Sequence, residues 1–122
     1  MFVLAGLLSA LTARLILGLV GKARNVLIIV MMAPAVEESA KSGLALLLDT
    51  NVFLAHAVFG GVELVADSLG GRGIWPGLAA LVLHSLLGFA TVWLLTYVGV
   101  AMAVVLAALL HGLWNYTAVR LL

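Results

Sequence analysis

Residues 26–48 read VLIIVMMAPAVEESAKSGLALLL. About 20 mostly apolar residues carry an α-helix across the hydrocarbon of a bilayer, and this stretch is long enough. It nevertheless sets Glu37, Glu38 and Lys41 within five positions of one another. A charge at the centre of a spanning helix costs about 2.5–3.5 kcal/mol, so three cost on the order of 8–10 kcal/mol. That is comparable with the whole net stability of a domain. Such groups persist where they face the interior of a bundle, pair with one another, or touch water or a metal ion. The stretch therefore predicts a membrane helix that encloses a polar site.

The rest of the chain agrees about the solvent. Of its 122 residues 66% are hydrophobic and 9% charged, and the mean hydropathy is +1.31. Ordinary soluble domains are about 45–50% apolar and about 25% charged, and a small fold lacks the interior to hide the excess. Lipid is the expected partner. The net charge of +1 offers no basic patch for nucleic acid. The absence of cysteine excludes disulfides and thiolate metal sites. The start, MFVLAGLLSALTA, has no basic residue ahead of its apolar run, so it reads as a permanent span rather than a cleaved signal. With no linker or repeat, residues 1–122 form a single transmembrane domain.

Five spans are expected, giving an all-α polytopic bundle. They cover 2–20, 26–48, 52–66, a helix opening near Pro76 and running to about 97, and about 100–122. The breaks are GKARN (21–25), DTN (49–51), DSLGGRG (67–73) and Gly99. Pro76 suits a first helical turn. Lys22, Arg24, Arg72 and Arg120 fall on alternate junctions. Because cytoplasmic loops carry the Lys/Arg excess, the N-terminus is expected outside and the C-terminus in the cytoplasm.

The remaining ionisable residues gather at similar depths. At about 1.5 Å per residue, Glu37 lies about 16 Å, His84 about 12 Å and His111 about 16 Å from the inner ends of their helices. Glu63 is about 7 Å inside Ser68. Glu37 and Lys41, at i,i+4, share a face and can pair. Glu38 is turned about 100° away and needs another partner. His111 and Asn115 share a face at i,i+4. His56 reads as a structural or interfacial residue nearer the opposite surface. Arg14 either snorkels or pairs with a carboxylate such as Asp67. Trp75, Trp93, Tyr97 and Trp114 read as interfacial aromatics.

Carboxylates and imidazoles without cysteine fit hydrolysis, with a glutamate activating water and His/Asn groups holding the oxyanion. Glu63, His84 and His111 could instead hold Zn2+ with an open water position. A buried Glu/His chain also suits a proton or cation pathway. Neither a zinc HExxH helix nor a GxSxG elbow is present.

EESAK (37–41), FGGVE (59–63), the lone His84 of the fourth helix and HGLWN (111–115) occur in that order. The set resembles the EExxK, FxxxE, His and HxxxN motifs of PrsW-type intramembrane proteases, within the wider group of CAAX-prenyl endopeptidases and bacteriocin-immunity proteins. The resemblance covers about residues 33–115. It implies an endopeptidase acting on a membrane protein or peptide at or near the bilayer. Glu37 would then activate the attacking water with support from Glu38. Glu63, His84 and His111 would order that water or ligate a metal. His111 and Asn115 would stabilise the oxyanion, and Lys41 would neutralise the glutamates. A non-catalytic, immunity-type protein is the alternative within the same group. The family commonly has more spans, so a homo-oligomer packed through Gly60, Gly61, Ala101, Ala103 and Ala107 could complete the wall.

Overall fold

The computed structural model describes residues 1–20 and 26–121. GKARN, with Lys22 and Arg24, lies outside the described residues. The described chain is all-helical: α1 (Phe2–Val20), a π-helical turn (Ile28–Met32) running into α2 (Ala33–Leu47), α3 (Val52–Leu69) and α4 (Ile74–Leu121). Among the described residues, α1, α3 and α4 are long and apolar enough to cross a membrane. A straight helix of 48 residues would reach about 70 Å, more than twice the hydrocarbon thickness.

α4 is not straight. At Gly99 the backbone takes φ 75° and ψ 172°, a conformation that a side chain would strain. The break divides α4 into a proximal arm (74–98) and a distal arm (100–121). The rings of His84 and His111 lie 5.0 Å apart, whereas an unbroken helix would separate them by about 40 Å. The arms therefore fold back on one another, and the chain is a multi-pass integral membrane protein. α3 runs to Leu69, beyond the expected end at 66, which places Asp67 in its last turn. Asn51 caps α3 by accepting the Leu54 N–H at 2.9 Å.

The π-helical turn has a local cause. Pro34 has no N–H, so the carbonyl that would bond it loses its donor. In the α register that is Val30; in the i→i+5 register, adopted here by the Ala33 N–H to the Ile28 carbonyl, it is Ile29. Both are met by the distal arm. Asn115 Nδ2 donates to the Ile29 carbonyl at 3.0 Å. Gly112 lies so close to the Val30 carbonyl that a Cβ there would collide with it.

Packing follows the logic of a lipid solvent, where close approach of small residues replaces the hydrophobic effect between helices. The face of α1 that is buried carries Ala5, Gly6, Ser9 and Ala13, while Leu7, Leu11, Leu15 and Leu19 face outward. α3 and the proximal arm of α4 approach where a Cβ on Gly60 would come within 2.8 Å of Leu81 Cα, and one on Gly88 within 2.7 Å of His56 Cβ. Gly60, Ala103 and Ala107 are thus spent inside the protein rather than on an outer contact. One end of the bundle is closed by Ala5, Ala45, Val52 and Ala55, with Leu48 and Leu95 against them. The other end is polar.

Gly88→Val is expected to destabilise the protein by about 1–3 kcal/mol, the cost of overpacking a tight contact. Gly61→Ala, with nothing within 4 Å, should be neutral or stabilising by up to about 1 kcal/mol. Equilibrium unfolding in detergent measures both.

Candidate functional site

The polar interior is built around Glu38. Its carboxylate is fully buried and holds three donors. Lys41 Nζ reaches Oε1 at 2.5 Å, His111 Nδ1 reaches the same oxygen at 2.9 Å, and His56 Nε2 meets Oε2 at 3.1 Å. The sequence expectation of a Glu37–Lys41 pair is corrected here: the partner of Lys41 is Glu38, at i,i+3. Both spacings lie on one helical face. The side facing α3 and the two arms of α4 carries the donors, and Glu38 is the carboxylate that points there.

The network continues from Lys41. Its ammonium donates to His84 Nδ1 at 2.7 Å and sits 4.4 Å from the centroid of the Phe59 ring. An ammonium has no acceptor, so His84 Nδ1 accepts and its Nε2–H donates to Glu63 Oε2 at 2.7 Å. Phe59 packs edge-on against His84, with centroids 4.9 Å apart. On the other side His56 Nδ1 lies 2.9 Å from the Val52 carbonyl; with an acceptor at each ring nitrogen, both bonds form only in the imidazolium form of the ring. One hydrogen-bonded chain thereby joins α2, α3 and both arms of α4.

His56 is the second correction. Of the structural and interfacial roles expected for it, the structure agrees with the first and corrects the second, since His56 is fully buried and directly bonded to Glu38. Its spacing carried a usable signal, because His56, Phe59 and Glu63 fall at i, i+3 and i+7 on one stripe.

Glu37 has the opposite surroundings to Glu38. Its Oε2 is buried and, among the described residues, has no hydrogen-bond partner. The nearest base is His111 Nε2, 3.9 Å away. Since His111 gives its Nδ1–H to Glu38, the neutral ring presents a lone pair at Nε2. The two atoms are too far apart to bond directly, and with Oε2 buried a water joining them requires the two side chains to part.

Glu37, Glu63, His84, His111 and Asn115 line a common cavity of about 340 Å³, together with Ile29, Asp67, Arg72, Leu83, Trp114 and other apolar residues. Of the sequence-predicted site residues, Glu38 and its partner Lys41 stay behind its wall. Trp114, expected as an interfacial aromatic, is part of the lining. At the polar end Arg72 donates to Asp67 at 3.1 Å. Arg14 makes no ion pair among the described residues and lines a second cavity, of about 300 Å³.

A metal ion has a candidate donor set in Glu37, His84 and His111, whose ligand atoms lie within 4.8 Å of one another. The chemistry of the set suits zinc. Glu63, expected as a ligand, instead bonds His84, as carboxylates do behind metal-bound histidines. Both ring nitrogens of His84 are engaged, so ligation would require it to release Lys41 or Glu63.

No protein-family model, curated protein or solved structure matches the chain. The buried Glu/His/His cluster between membrane helices is therefore read from its own geometry, which is capable of general acid–base or metal chemistry.

Removing Lys41 alone leaves Glu38 short of its nearest donor. Lys41→Met is expected to cost about 3–5 kcal/mol, the penalty for breaking a buried pair. The Glu38→Leu, Lys41→Met double variant should cost less than the sum of the single changes. A double-mutant cycle on unfolding free energies reads the difference.

Proposed function

We propose that the protein is an intramembrane endopeptidase that hydrolyses a peptide bond of a membrane-associated substrate with water activated by Glu37, in the manner of the PrsW-type proteases its motifs resemble. The observation that carries this reading is the contrast between adjacent carboxylates. Glu38 is saturated by three donors, while Glu37 keeps a buried, unbonded oxygen 3.9 Å from the imidazole Nε2 of His111.

In the proposed reaction a water enters from the cavity and bridges Glu37 Oε2 and His111 Nε2, the two side chains parting to admit it. Glu37 accepts a proton as the water oxygen attacks the scissile carbonyl carbon. The oxyanion is stabilised by the Asn115 N–H that Ile29 does not use, and by the positive charge held nearby on Lys41. As the C–N bond breaks, Glu37 passes the proton to the leaving nitrogen, giving a carboxylic acid and an amine. His84, fixed between Lys41 and Glu63, holds the wall of the cavity, and Glu38 keeps His111 in the tautomer that leaves Nε2 free. Glu37, His84 and His111 are the residues that would hold a zinc ion, which when bound would polarise the carbonyl and lower the pKa of water.

Arg72 and Arg120 lie toward the polar end, and Lys/Arg excess favours the cytoplasmic side. The same reading puts the cavity mouth at the cytoplasmic face, with the N-terminus outside. A transmembrane proton or cation pathway is less well supported, because the hydrogen-bonded chain stops at the Val52 carbonyl and the small apolar cluster around Ala45 and Ala55 lies beyond it.

Glu37→Gln is expected to lower the cleavage rate of a membrane peptide by about 10²–10⁴-fold, the usual contribution of a general base, while unfolding stability changes by less than about 1 kcal/mol. A non-catalytic, immunity-type protein would show no cleavage in the wild type and no loss to measure. Elemental analysis of chelator-treated protein addresses the ion: zinc well below one per chain in protein that still cleaves supports the metal-free reaction.

A further inference from the structure

Glu37 and Glu63 face two cavities, and the two are chemically unlike. The first contains His84, His111 and Asn115, the groups able to hold an acyl centre. The second lies toward α1 and contains none of them. It is lined by Ala10, Ala13, Arg14, Leu17, Phe59, Val62 and Ala66, with Glu37, Glu63 and Asp67.

From this division we infer that the second cavity is a water-filled channel that supplies Glu37 from the membrane surface while a peptide occupies the first. The inference rests on the hydrolase reading and adds to it. Each cleavage consumes a water molecule, and a peptide seated against His111 and Asn115 occupies the first cavity. The second cavity reaches Glu37 by another way. Its polar groups form a ladder measured from the nearest helix ends: Asp67 at about 3 Å, Arg14 and Glu63 at about 9 Å, and Glu37 at about 14 Å. Charged groups at such depths persist where water reaches them. Arg14 has no ion pair among the described residues, although three carboxylates share its cavity. Hydration accounts for an arginine in that position better than contact with lipid would. The alanines at 10, 13 and 66 keep the channel open, since larger side chains would fill it.

The chain has no cysteine, which allows a test that is independent of catalysis. Ala10 lines the channel, whereas its neighbour Leu11 is 53% exposed on the lipid side at nearly the same depth. In proteoliposomes carrying single substitutions, Ala10→Cys and Ala66→Cys should react with a charged methanethiosulfonate reagent at least about tenfold faster than Leu11→Cys, because thiolates form only where water reaches them. Equal rates at positions 10 and 11, whether both slow or both fast, would overturn the proposal. A second measurement ties the channel to turnover. Ala66→Phe should lower kcat about tenfold with KM unchanged, since it removes a step after binding; a raised KM with unchanged kcat would overturn it. If no membrane peptide is cleaved by the wild type, the protease reading falls, and the labelling rates still decide whether the cavity is wet.

Discussion

The structure depends on keeping an ionised pair, Glu38 and Lys41, wholly out of solvent. Removing two charges from water costs several kcal/mol per ion, and their mutual attraction offsets this only when every remaining lone pair and proton is also satisfied. Here the additional partners come from other helices: His56 on α3, and His84 and His111 on the two arms of α4. The same bonds that make the pair tolerable therefore set the helices against one another. They also explain why neighbouring glutamates differ. Glu38 uses up the donors that could have served both, and Glu37 is left with a buried oxygen that has no donor among the described residues. Two identical side chains thus take different chemical characters from environments a few ångströms apart.

Pro34 has a similar double effect. By lacking an N–H it removes one donor from its own helix, at Ile29 or Val30 according to the register, and a membrane offers no water to replace it. Asn115 bonds one and Gly112 packs on the other. The distal arm of α4 is thereby held at the turn where His111, one helical turn before Asn115, can reach both Glu37 and Glu38. A backbone defect in one helix becomes a docking site for another, which agrees with the tendency of π-helical turns to occur beside functional sites.

Much of this was legible in the sequence. The cost of three charges within one apolar run announced a polar interior, and counting residues from helix ends brought Glu37, His84 and His111 to one level. Gly99, a single residue in a run of apolar ones, was enough to mark the reversal in α4 because few other residues accept its backbone angles. The identity of the ion pair was not legible. Both i,i+3 and i,i+4 partners are available on a helix, and the choice is made by donors far away in the chain. Counted from the inner ends of their helices, Glu38 and His56 lie about 18 and 20 Å deep, at one level; the closeness of His56 to the outer end of α3 points the other way and hides the pairing. Arg14 could be seen, but its cavity could not, since that space exists only between packed helices.

The reversal at Gly99 also constrains how the protein is made. With one residue between them, the arms of α4 present an almost unbroken greasy segment to the insertion machinery, with no hydrophilic pause at which the first could settle alone. They are suited to enter the bilayer together as a helical hairpin. His84 and His111 would then meet early, inside a two-helix unit that the rest of the protein closes around.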